Sequence, residues 1–215
     1  MINIIFDYDG TLHDSLKIYA PAFRSCCKMI AKDGFIMQTD YSNDEIKKWI
    51  GMDAKTMWDT FMPDLPHEYK DKYSAFIGNE MLTLINEGKA VLYDGAEELL
   101  GRLKADGHKL IFLSNCKRSY MEAHINFFKL NRFFDGFYCT EDYDFSPKYE
   151  IFNEIKSVYE GTYIAVGDRK SDMEIAEKHS IKAIGCTYGY GDLDELKNAN
   201  YFANSPKKII EYIKE

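Results

Sequence analysis

Two aspartates one residue apart, Asp7 and Asp9, stand where an apolar run stops, in the stretch Ile2–Asn3–Ile4–Ile5–Phe6–Asp7–Tyr8–Asp9–Gly10–Thr11. Carboxylates at i and i+2 beyond a strand can divide the work, one going to a metal ion and the other to proton transfer. The plain alternative is an Asp–Gly turn with both acids solvated. Acids beside a buried strand are costly unless they are used, which favours chemistry. That reading requires phosphate ligands and a further metal carboxylate elsewhere in the chain.

Three later stretches supply them. Ser114 and Asn115 follow the apolar run Lys109–Leu113, Lys148 precedes a helical stripe of Ile151, Phe152, Ile155 and Val158, and Asp168 and Asp172 follow Thr162–Val166. In a parallel sheet the carboxyl ends of the strands face one edge, so these groups can converge despite their separation. Oxygen ligands from Asp7 and Asp168 suit a hard divalent ion, magnesium by preference, with waters completing its shell. Ser114 and nearby backbone amides can donate to a phosphate. Lys148 adds a positive charge that helps hold the acids ionised. His13, in the loop beside the acids, is read as a surface or packing residue.

These groups must be placed by regular elements. The run before Asp7, bounded by a turn signal, predicts a strand buried on both faces. Between Thr11 and Ala90 the pattern is helical, with Pro21 either kinking the first helix or opening it. Asp14 or Ser15 is expected to cap that helix. Further on, Asp94 and Glu97 have capping-box spacing ahead of Ala96, Leu99, Leu100 and Leu103. Strand and helix then alternate to the end. The expected fold class is α/β, a doubly wound and mainly parallel sheet, formed by residues 1–14 and 90–215, with residues 15–89 as an inserted helical module.

Composition narrows the function. Hydrophobic residues make up 46% of the chain, enough for a packed core. A formal charge of −8 speaks against nucleic-acid and anionic-membrane surfaces. It leaves room for an anionic small substrate, because a metal and a few lysines can reverse the local sign. No apolar stretch is long enough for a membrane helix, and residues 2–6 are too short for a signal-peptide core. Cys26, Cys27, Cys116, Cys139 and Cys186 are odd in number and scattered, which fits reduced core thiols and a cytoplasmic location.

The order of these motifs resembles the haloacid dehalogenase superfamily, in its phosphatase branch with a helical cap after the first strand. Asp7–Tyr8–Asp9–Gly10–Thr11, Leu113–Ser114–Asn115 and Gly167–Asp168–Arg169–Lys170–Ser171–Asp172 match its first, second and fourth motifs. The stretch Ala183–Gly191 is similar to phosphoglycolate-phosphatase-like and pyrophosphatase-like members. One departure is the order Ser146–Pro147–Lys148, where the branch carries Lys-Pro; Lys148 remains the candidate and Lys156 the fallback. The resemblance implies a Rossmann-like core. It implies Asp7 as nucleophile and metal ligand, and Asp9 as acid and base whose backbone carbonyl also meets the metal. It further implies Asp168 bound directly to magnesium and Asp172 through water. Thr11, Ser114 and the amides of residues 8 and 115 would position phosphate, with Gly10 supplying the turn.

The expected activity is magnesium-dependent hydrolysis of a small phosphorylated metabolite through an aspartyl-phosphate, by a monomer or homodimer. The alternatives are a sugar-phosphate mutase of the same fold and a non-catalytic regulator that binds a phosphometabolite. In this branch the cap chooses the leaving group, which nominates Lys47, Lys48, Gly51, Met52 and Lys55; Trp49 and Trp58 are read as cap core.

Overall fold

The structure is a computed structural model that describes residues 1–214. It divides into two compact units, one made of Met1–Asp14 and the chain from Leu92 onward, the other of Ser15–Val91.

In the first unit six parallel strands form a single sheet. They are β1 (Asn3–Phe6), β2 (Lys109–Ser114), β3 (Gly136–Cys139), β4 (Tyr163–Gly167), β5 (Lys182–Cys186) and β6 (Tyr201–Ala203), in the order β3-β2-β1-β4-β5-β6. This is the doubly wound, Rossmann-like order, with its reversal between β1 and β4. Every residue of β1 is buried, because the strand is covered on both faces. One face carries Ile5, Ile111, Leu113 and Ala165 against Ile151, Phe152 and Ile155 of α7 (Lys148–Val158) and Ile175 of α8 (Lys170–His179). Phe6 and Phe112, one residue out of phase, meet Phe134 edge to face.

Register aligns the chemistry. Phe6 lies opposite Phe112 on one side and Val166 on the other. The residues that follow, Asp7 just past β1, Leu113 and Ser114 at the end of β2, and Gly167 ending β4 with Asp168 after it, therefore emerge at one sheet edge, at the switch point where open α/β sheets hold ligands.

One local expectation gives way here. The helix α5 (Ala96–Ala105) has Gly95 at its N-cap with φ 80°, and no side chain caps it. The Asp94/Glu97 capping box does not form, since it needs the first helical residue one step after Asp94 and the left-handed turn at Gly95 displaces it. The helix α9 (Pro206–Ile213) opens on its proline, whose fixed φ and missing N–H suit a first turn.

The second unit is helical. It contains α1 (Leu16–Lys32), α2 (Asn43–Ile46), α3 (Ala54–Phe61) and α4 (His67–Asn86). Pro21 lies inside α1 rather than at its start. Ser15 is the N-cap residue, but its hydroxyl makes no capping bond and is buried without a partner among the described residues. The interior is apolar, built around Phe23, Cys27, Ile30, Trp58, Tyr73 and Ile77. Trp49 and Trp58 belong to it, 8% and 1% exposed, and Trp58 gives its N–H to Ser74 at 2.6 Å. Lys47 pairs with Asp44, Lys48 lies over the Trp49 ring, Lys55 is exposed, Met52 packs on the apolar cluster and Gly51 has φ 84°. Among the described residues no helix is long and apolar enough to cross a membrane. All five cysteines are buried free thiols.

Candidate active site

Asp7, the first residue past β1, is 6% exposed and lies among charges from three other segments. Lys148, the first residue of α7, sends its ammonium to Asp7 Oδ1 at 2.5 Å and to Asp172 Oδ1 at 2.7 Å. Pro147 at the N-cap ends the preceding loop, so the lysine leaves from the first helical turn. Asp172, in the first turn of α8, also accepts the Arg169 backbone N–H at 3.0 Å on its other oxygen. Asp168 accepts the Tyr190 backbone N–H at 2.7 Å. The Thr11 hydroxyl lies 3.2 Å from both Asp7 Oδ2 and Asp168 Oδ1, so its single proton serves one or the other. In this state it ties two carboxylates together.

One oxygen from each of Asp7, Asp168 and Asp172 falls within 4.8 Å of the others, and all three residues are buried. Three carboxylates against one ammonium leave two negative charges uncompensated. Burial and the neighbouring carboxylates of Asp172 and Asp168 raise the Asp7 proton affinity well above the ordinary range, although the Lys148 charge opposes them. Burial, then Asp172, pushes the Asp168 carboxyl up to about 6, with the Tyr190 N–H pulling back. Burial disfavours the Lys148 charge, but Asp172 and Asp7 outweigh it and hold the ammonium more firmly protonated than in water. An all-oxygen donor set with two surplus negative charges fits a hard divalent cation. The structure brings these groups together across the sheet edge.

Glycines make the close approach possible. Gly10 has φ 91°, and a Cβ there would run into the Asp168 carboxylate. A Cβ on Gly189 would meet the same side chain. The loop Thr187–Gly191 is thus a wall of the site, which the sequence reading had placed only by its motif. Tyr188 donates its hydroxyl to the Thr11 carbonyl at 2.7 Å, and Tyr190 donates its own to Asp14 at 3.0 Å. Ser114, the last residue of β2, is 2% exposed at the same edge, and Asn115 follows it.

The Asp9 carboxylate stands apart from the three. Its Oδ1 accepts the Tyr120 hydroxyl at 2.7 Å and His13 Nδ1 at 2.8 Å. Burial alone would raise its pKa, yet these two hydrogen bonds and the adjacent imidazoles more than offset it. The Asp9 carboxyl is held below the usual range and is ionised near neutrality. His13 is fully buried here, which excludes the surface half of its reading as a surface or packing residue, and Tyr120 is buried beside it. The signal that was available is the i, i+4 spacing of Asp9 and His13 around a tight turn.

Known proteins are similar to this chain over most of its length. A phosphoglycolate phosphatase of Colwellia psychrerythraea is 26% identical over 200 residues, covering 87% of this chain and 84% of the relative. A 5'-nucleotidase of Pseudomonas aeruginosa is 25% identical over 209 residues, covering 91% and 86%. Among solved structures, a predicted phosphatase from Clostridium acetobutylicum superposes with a TM-score of 0.80 at 27% identity, over 99% of this chain and 98% of that one. The sequence model of the haloacid dehalogenase-like hydrolases matches residues 4–186, a span that holds every charged group of the site. On that match, and with the strand order and the acidic edge it accompanies, the chain belongs to the haloacid dehalogenase-like hydrolase family.

Proposed function

We propose that this protein is a phosphatase, a phosphoric monoester hydrolase that uses magnesium and acts on a small phosphorylated metabolite through an aspartyl-phosphate. The observation that carries this reading is the Lys148 ammonium bridging Asp7 and Asp172 beside the buried Asp168, with Asp9 held separately. The two relatives named above support the ester class, since both names denote removal of phosphate from an alcohol oxygen.

Asp7 is the nucleophile. Its carboxylate oxygen attacks phosphorus, the bond from phosphorus to the leaving oxygen breaks, and that oxygen takes a proton from Asp9. A water then attacks phosphorus, gives a proton back to Asp9 and frees both Asp7 and inorganic phosphate. Asp9 is ionised in the free protein, which suits the second half; the negative charge of an arriving phosphate raises its proton affinity for the first. Carboxylate meeting phosphate sets like charges together, each pair at contact distance opposing by ~4 kcal/mol at intermediate dielectric. Lys148 offsets part of that repulsion. Asp7, Asp168 and Asp172 would hold the magnesium, with the Asp9 carbonyl as a further ligand, and the ion supplies the remaining charge neutralisation. Thr11, Ser114, Asn115 and the turn at Gly10 complete the phosphate site, the Thr11 hydroxyl turning from the carboxylates to phosphate. The helical unit acts as the cap, with Lys47, Lys48, Gly51, Met52 and Lys55 as its specificity candidates.

The test is a phosphate-release screen over a panel of phosphorylated metabolites, run with magnesium and with EDTA. Turnover is expected with magnesium only, and Asp7→Asn should abolish it in a protein that remains folded. Turnover that ignores the chelator would sink the cation assignment, and turnover in Asp7→Asn would sink the nucleophile. Isomerised sugar phosphate in place of free phosphate would replace the phosphatase reading with the mutase one.

A further inference from the structure

Asp9 does not share the carboxylate cluster of Asp7; it is gripped by a separate aromatic and imidazole box. Carboxylate Oδ1 accepts two hydrogen bonds, from the Tyr120 hydroxyl at 2.7 Å and from His13 Nδ1 at 2.8 Å. A proton on His13 Nδ1 is the ring form that lets both groups donate to Oδ1. The 3.3 Å approach of Tyr120 to His13 Nδ1 is then a meeting of two donors aimed at one oxygen.

Both donors are themselves held. The Tyr8 carbonyl accepts the backbone N–H of Leu12 and of His13, each at 2.9 Å, and the Gly10 N–H reaches the His13 carbonyl at 3.0 Å, which curls the loop until His13 faces Asp9. The His13 ring stacks on Tyr8, with centroids 5.3 Å apart and 15° between planes. Tyr120 and His124 lie one turn apart on α6 (Arg118–Phe128), and their rings meet at 4.3 Å. His124 contacts His13 at 4.5 Å and pairs its Nδ1 with the Tyr8 hydroxyl at 2.8 Å.

The box is costly as packing. His13 Nε2 and His124 Nε2 are both buried with no hydrogen-bond partner among the described residues. Each such group costs about 1–3 kcal/mol of desolvation, which apolar rings of similar shape would avoid. The cost falls around the one carboxylate that the proposed chemistry needs aimed rather than neutralised. A displacement of about 1 Å in a reacting group can cost some hundredfold in rate.

We propose that His13 and Tyr120 are positioning residues for proton transfer: by fixing Oδ1 they orient the Asp9 carboxylate, leaving Oδ2 to exchange the proton with the leaving oxygen. This rests on the acid–base reading of Asp9 given above. Neither residue touches phosphate in this scheme; both act through Asp9.

The test uses leaving groups of different need. An aryl phosphate with an electron-withdrawing ring expels its phenolate unaided, whereas an alkyl phosphate must have its oxygen protonated as the bond breaks. The quantity read is the ratio of kcat/KM for the alkyl ester to kcat/KM for the aryl ester, because kcat/KM covers the steps through leaving-group departure. Tyr120→Phe, which removes only a hydroxyl, is expected to lower that ratio about tenfold or more. His13→Met should lower it likewise, and His13→Asn, whose amide N–H stands at the position of Nδ1, should restore part of it. Asp9→Asn is the reference and should lower the ratio most. If Asp9→Asn shifts the ratio while Tyr120→Phe does not, the positioning role is overturned and the acid–base reading stands. An equal fall on both esters in Tyr120→Phe, with the ratio unchanged, also overturns it by reducing the residue to a packing role. If Asp9→Asn itself leaves the ratio alone, the acid–base reading fails and takes this inference with it. Should the His13 variants fail to fold, Tyr120→Phe decides by itself.

Discussion

The α/β unit and the helical unit bury similar apolar side chains but treat polar ones in opposite ways. Among the described residues, every buried polar or charged side chain lies in the α/β unit except Ser15, the first residue of the helical one. The α/β unit encloses Asp7, Asp168, Asp172 and Lys148 at one sheet edge, with two negative charges unmatched. The helical unit closes its interior with rings and aliphatic chains, and leaves its ion pairs, such as Lys72 with Asp33, at the surface. One unit holds charge at a standing electrostatic cost. The other is organised for packing, so neutralising an acid of the cluster and truncating a ring of the helical interior should change stability with opposite signs.

The largest effect should come from Asp7→Asn, with turnover falling by about 10⁴-fold or more because the proposed nucleophile is gone. In metal-free buffer the same variant should melt no lower than the parent, since one of three crowded carboxylates has been neutralised. A variant that loses stability along with activity would break the contrast. Lys148→Met should do the reverse to the fold, removing the ammonium that bonds two buried carboxylates and costing about 3–5 kcal/mol in urea denaturation. A cost below 1 kcal/mol would mean that water, not Lys148, compensates those acids.

In the helical unit Trp58→Ala should cost about 3–5 kcal/mol, the sum of lost transfer energy and residual cavity. Its urea midpoint checks this, and its sign is opposite to that expected for Asp7→Asn. A smaller effect concerns acid. Burial first, and the neighbouring His13 second, depress the His124 pKa from 6.5 to about 2. The unfolded chain therefore binds a proton that the folded one refuses. Stability from this group is complete above pH 6.5 and declines as pH falls from 6.5 towards 2, by ~1.4 kcal/mol per pH unit. His124→Phe should flatten the decline between pH 7 and 5 by about 2 kcal/mol. An unchanged slope would show that His124 is protonated in the fold.

Much of the frame was legible because it rests on local pattern. Ile4–Phe6 announce a strand covered on both faces, and the parallel sheet follows from alternation with helices. Lys148 was legible as a charge ahead of a helix, despite the inverted Pro147–Lys148 order. Other details were decided by competition between neighbours. Gly95, in a left-handed conformation, overrode the Asp94 capping signal, and α1 absorbed Pro21 in its second turn without beginning there. Thr11, expected on phosphate, is hydrogen-bonded to the carboxylates of Asp7 and Asp168. The aromatic box around Asp9 was missed because His13 and Tyr120 each look ordinary in isolation.

The division has a physical basis. Periodicity, turn glycines and acids at a strand's end act over a few residues, so the sequence by itself determined the α/β frame, the helical insert and the acidic edge. Only the tertiary structure decided which donor meets which oxygen. Lys148 comes to Asp7 across 141 positions and Tyr120 to Asp9 across 111, so no local signal encodes either contact. The same two acids, identical in type and two residues apart, end in opposite surroundings: one crowded by carboxylates, the other clasped by a hydroxyl and an imidazole. Sheet register and the faces of α6 and α7 made that difference.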